Sequence, residues 1–105
     1  MYAIAIIRYR APLEKVLEHV EAHRAYLGDL NRRGIVVVSG PLDPRYGGAA
    51  IIRIPDEDGL AGLDRIRDGD PYVRAGVAQW EVLGWRPGTG AEVLERVGLG
   101  KGNRE

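Results

Sequence analysis

Two segments of this chain, YAIAIIRY at residues 2–9 and AAIIRI at residues 49–54, are apolar at consecutive positions. Their residues are β-branched, aromatic or small, with no breaker inside, so each reads as a strand. A strand with one wet face alternates apolar and polar residues. These two do not, so both faces of the sheet they build need cover. The chain has 105 residues, which makes one small domain with one modest core and few elements to spare for that cover.

The remaining elements follow from periodicity and punctuation. After Pro12, a good first-turn residue, Leu13, Val16, Val20, His23, Leu27 and Leu30 recur at helical spacing, and Gly34 closes the segment. This predicts one continuous helix, with Glu14 and Glu18 as a like-charged pair that leaves it dependent on packing. Residues 35–38 (IVVV) form a second strand, with Ser39-Gly40-Pro41 as its exit and LDPRYGG at 42–48 as a loop. Asp56-Glu57-Asp58 opens a second helix whose apolar face is Leu60, Leu63 and Ile66, weakened by Gly59 and Gly62. Asp70-Pro71 ends it, a single turn follows, and residues 77–85 (VAQWEVLGW) form a fourth strand. The order β-α-β-β-α-β is the split βαβ, or ferredoxin-like, pattern. It is an α+β fold: a four-stranded antiparallel sheet with two helices on one face. A second copy of the chain is the simplest cover for the other face, which predicts a homodimer. The domain is expected over 1–86, and 87–105 as a Gly-rich tail with a short helix at 91–97 and frayed residues from Leu99 onward.

Composition narrows the function classes. Fifteen basic and fifteen acidic residues give zero formal net charge, which argues against nucleic acid or a membrane surface as the main partner. There is no cysteine, which excludes disulfides, thiolate metal sites and a cysteine nucleophile. No stretch approaches a membrane span and the N-terminus does not read as a secretion signal, so a cytoplasmic protein is expected.

His23 is the leading candidate for chemistry. It interrupts an aliphatic stripe, either as a half-buried histidine bonded to backbone or as a general base facing a pocket. His19 stands four residues earlier, the spacing of two zinc ligands, but Val20 occupies the place of the metalloprotease glutamate. No metal and no cofactor are expected. Ser39 lacks a nucleophile-elbow context and reads as a turn residue or a ligand-positioning hydroxyl. Asp70 caps the turn that Pro71 starts, or else orients an imidazole. Arg8, Arg45, Arg53 and Arg74 are open to an anionic partner, and Trp80 and Trp85 to core or interface.

Taken in order, His23 with Leu27 and Leu30, Gly34, Ser39-Gly40-Pro41-Leu42, Asp70-Pro71-Tyr72 and Ala75-Gly76-Val77 resemble the YCII (YciI-like) family over residues 1–86. The resemblance implies a dimeric α+β barrel and a His–Asp dyad at His23 and Asp70, with Ser39, Pro41 and Tyr72 on the substrate pocket. It implies a small-molecule substrate and a cofactor-free elimination or isomerisation of a ring-shaped polar metabolite, as in dehydrochlorination during aromatic degradation. The alternative is a non-catalytic ligand-binding or accessory domain built on the same pocket.

Overall fold

The computed structural model describes the backbone of residues 1–102 and the side chains of residues 1–97. Strand β1 (Tyr2–Tyr9) is central, paired antiparallel with β3 (Gly47–Arg53) on one side and β4 (Ala78–Trp85) on the other. The edge strand β2 (Val36–Pro41) pairs with β3, so the order is β2-β3-β1-β4. Helices α1 (Leu13–Leu17) and α2 (Val20–Arg32) connect β1 to β2. A 3-10 turn at Asp56–Asp58, α3 (Gly59–Asp68) and α4 (Pro71–Arg74) connect β3 to β4. This is the α+β ferredoxin-like fold expected from the element order.

The pleat divides the apolar strands between two faces. Ala3, Ala5 and Ile7 of β1, with Ala50 and Ile52 of β3, are buried in one core with Val16, Leu30, Leu63 and Ile66 of the helices. The opposite face carries Ile4 beside Ile51 and Leu83, with Val38 next to Ile51 at the edge. No helix among the described residues is long and apolar enough to cross a membrane.

The chain departs from the periodicity reading in five places. The continuous helix is two: Glu18 and His19 bond back three residues, to Lys15 and Val16, and His19 leaves helical geometry. The tighter turn rotates α1 so that Val16 enters the core while Leu13 and Leu17 stay exposed. Ser39-Gly40-Pro41 is not an exit but the end of β2, where an edge strand tolerates proline. Gly47 and Gly48 belong to β3, because a Cβ on Gly47 would collide with the Ile7 carbonyl across the sheet and only glycine permits that approach. Leu60 is 68% exposed, and the buried face of α3 is Gly62, Leu63 and Ile66. The last helix, α5 (Ala91–Gly102), runs past the expected 91–97, and it reaches back to β2. Of the segment expected to fray, residues 99–102 are helical and 103–105 lie outside the described residues.

Candidate functional site

Asp70 is the pivot of the site. It sits at the N-cap of α4, with Pro71 fixing the first turn, and its Oδ1 accepts the Tyr72 backbone N–H at 3.1 Å. That cap is local and follows from the Asp-Pro sequence. Its other partners come from distant elements. Trp80, on the core side of β4, donates its indole Nε1–H to Oδ2 at 2.8 Å. His23 of α2 brings Nδ1 to within 2.7 Å of Oδ1. Asp70 is 0% exposed, so burial penalises its charge, and three converging donors offset that penalty. Since the carboxylate is the acceptor, Nδ1 carries the hydrogen, and the lone pair of the neutral ring is on Nε2.

The ring of His23 is held in plane as well as in tautomer. It stacks on Tyr72 with centroids 3.8 Å apart and planes 7° from parallel. Tyr9 meets Tyr72 edge-on at 6.0 Å. Packing of this kind removes rotamer freedom that a lone surface histidine would keep.

The space in front of this cluster is a cavity of about 510 Å³, within the range of small-molecule sites. One wall is α2, which contributes Val20, His23 and Leu27. The floor is the end of the sheet at Ile7 and Gly48, and the outer rim is Ser39, Pro41 and Arg45. Gly48 adds no side chain to that floor. A bulge in β2 sets the rim. Val36 pairs with Ile52 but Val38 pairs with Ile51, so one residue is extra between them. In a regular strand Val36 and Ser39 would point to opposite faces. The bulge puts Ser39 opposite Ala50 and Pro41 opposite Gly48, on the helix side of the sheet with the cavity.

His23, Ser39, Pro41 and Tyr72 therefore line one cavity, while Asp70 stands behind His23 and off its surface. His19 is not part of it. It precedes α2, and among the described residues no group of three His, Asp or Glu is placed to hold a metal ion. Of the four arginines singled out, only Arg45 borders the cavity; Arg8 pairs with Glu81 on the other face. Three participants escaped the sequence: Tyr9, Arg24 and the Trp80 N–H. The Trp80 bond had one available signal, since a buried indole needs an acceptor and few buried acceptors are free in a core.

Residues 1–86 match the YCII-related domain, and the chain belongs to that family. No curated protein matches it. Among solved structures it is similar to 5-chloro-2-hydroxyhydroquinone dehydrochlorinase from Burkholderia phenoliruptrix AC1100, in complex with 2,5-dihydroxybenzoquinone. The TM-score is 0.71 at 22% identity, over 85% of this chain and 97% of that one, a likeness of fold.

Proposed function

We propose that this chain is a cofactor-free acid–base enzyme acting on a ring-shaped polar metabolite. The observation that carries the reading is the buried Asp70 carboxylate at 2.7 Å from Nδ1 of a histidine that lines a small-molecule cavity. With Nδ1–H given to Asp70, His23 offers Nε2 as the base. Nε2 takes a proton from the ring carbon or hydroxyl that faces it. In an elimination, the leaving group on a neighbouring carbon departs with its bonding electrons. In an isomerisation, the imidazolium returns the proton at a second carbon. Asp70 stabilises the imidazolium between the two steps, and Ser39 donates to a substrate oxygen. Positioned general bases of this kind contribute roughly 10²–10⁴-fold.

The fold shared with a dehydrochlorinase of 5-chloro-2-hydroxyhydroquinone supports the elimination branch, and the proposed setting is cytoplasmic. The testing experiment incubates the protein with hydroxylated quinones, chlorinated hydroquinones and lactones in deuterated water. Ring deuteration or halide release is followed by NMR and ion chromatography. His23→Ala is expected to lose about 10²–10⁴-fold in turnover with an unchanged circular dichroism spectrum. Full activity of that variant on a turned-over substrate would remove His23 from the proton path, and ligand binding without any exchange would favour a binding module.

The reading includes a sheet-to-sheet homodimer. Val38 and Leu83 on the face away from the helices are 55% and 47% exposed, and they flank the half-buried Ile4 and Ile51. A continuous apolar row of this kind fits a second copy of itself.

A further inference from the structure

The cavity has a second polar end, away from the His23–Asp70 contact. Tyr72 is 1% exposed, yet its hydroxyl has no hydrogen-bond partner among the described residues. An unpaired buried hydroxyl is unfavourable, so one that lines a cavity calls for a partner from what enters the cavity, water or ligand. Tyr72 lines the cavity, and so do its neighbours Tyr9 and Arg45. The Arg45 Nε–H donates to the Tyr9 hydroxyl at 3.3 Å, and the guanidinium also acts on the nearby Tyr72 hydroxyl, close to it though outside hydrogen-bond geometry. With five N–H donors, it keeps some for a further acceptor. Burial, followed by the nearby Tyr9, pushes the Tyr72 phenol above its ordinary pKa against a weaker opposing pull from Arg45. The phenol thus stays a donor at neutral pH. The Tyr9 hydrogen bond raises the pKa of Arg45 further, and a guanidinium is charged at neutral pH in any case.

We infer that Arg45 and the Tyr72 hydroxyl, braced by Tyr9, form an anion-binding end of the cavity that holds the ionised oxygen of the ring substrate, a phenolate or a ring carboxylate. This rests on the acid–base reading of His23 and specifies its substrate class. The same Tyr72 that stacks on the His23 ring supplies the hydroxyl for the anchor. One side chain therefore sets the distance between the anchored oxygen and the base. Substrates without an anionic oxygen leave the phenol unpaired and bind less well. Arg24 is the other cation on the cavity wall and is exposed, as Arg45 is, but no contact links it to Tyr9 or Tyr72, so it supplies general attraction only.

The test is calorimetric and needs no turnover: the full chain is titrated with benzoate, with 4-nitrophenolate at a pH where it is fully ionised, and with neutral 4-nitroanisole. At least one anion is expected to bind about tenfold or more tighter than the neutral ether, as charge-assisted hydrogen bonds predict. The tighter of the two anions names the oxygen. Arg45→Met is expected to abolish the preference, whereas Arg24→Met changes it less than about twofold, the scale of a screened surface charge. Tyr72→Phe keeps the stack on His23 and should cost several-fold in anion binding, while stability stays level or rises, since the lost hydroxyl was unpaired. Equal affinity for all three probes, an Arg45→Met preference like the wild type's, or equal losses from Arg24→Met and Arg45→Met would overturn the inference. So would destabilisation by Tyr72→Phe with binding intact. A protein that prefers anions but exchanges no proton refutes the catalytic reading alone; turnover without anion preference refutes this one alone.

Discussion

Asp70 ties three elements to one buried carboxylate: His23 on α2, the Tyr72 amide on α4 and Trp80 on β4. Each partner therefore has a structural role whatever it does in chemistry, and the two roles separate by choice of variant. Trp80→Phe removes the indole donor and leaves Oδ2 buried without a partner, so it should destabilise by roughly 1–3 kcal/mol in urea denaturation. Asp70→Asn keeps the shape but brings an amide N–H against one of the donors. If Asp70 only orients His23, its turnover should fall less than that of His23→Ala, compared by steady-state kinetics on one substrate. An equal fall would make Asp70 a proton carrier. The sequence made His23 and Asp70 visible for local reasons, a polar residue on an apolar stripe and an Asp before Pro. It could not show Trp80 closing the network, because an indole hydrogen bond leaves no periodic trace.

Two glycines inside helices show how far the element scale was legible. The sequence marks Gly62 as a weak point, and the same physics applies to Gly28, since glycine lowers helix stability by about 0.5–1 kcal/mol relative to alanine. In α2, a Cβ on Gly28 would meet nothing within 4 Å, so Gly28→Ala should stabilise the fold by about that helix-propensity difference. In α3, a Cβ on Gly62 would lie 2.7 Å from the Asp58 Cβ and 3.1 Å from the Ile54 Cδ1. Gly62→Ala should therefore destabilise by about 1–3 kcal/mol, because the overpacking exceeds the propensity gain. Thermal denaturation of the two variants should move in opposite directions; a shared direction would mean that α3 is free to shift. The same limit explains the strand ends. Apolar runs located β1 and the centre of β3, but the bulge after Val36 and the pairing of Pro41 with Gly48 depend on the partner strand's register, which a one-dimensional pattern does not contain. The helix break at Glu18–His19 was hidden for a related reason, since the three-four spacing continues across a tightened turn.

At the scale of the whole molecule, the consecutive apolar residues of β1 keep their first meaning. Ala3, Ala5 and Ile7 enter the core, and Ile4 and Ile6 face the other way, where Ile4 joins a row across the sheet from Val38 through Ile51 to Leu83. A zero formal net charge puts no strong repulsion between two copies that meet on this row. Sedimentation equilibrium should accordingly give twice the chain mass at micromolar concentration. The double variant Val38→Glu/Leu83→Glu should sediment as a folded monomer, because both positions are exposed on the isolated chain and contribute little to its own core. Its melting temperature should also lose the concentration dependence expected of a dimer. A wild type that stays monomeric at these concentrations would leave the far face to another partner, and the position of the cavity argues what would follow. Ser39 and Pro41 belong to β2, the edge strand that carries Val38, so a partner seated on that row would buttress the strand forming the cavity rim. The glutamate variant should then bind ring ligands more weakly than the wild type. Because Val38 itself borders the cavity, Leu83→Glu alone, away from the cavity, should show the same loss if the buttress is the cause.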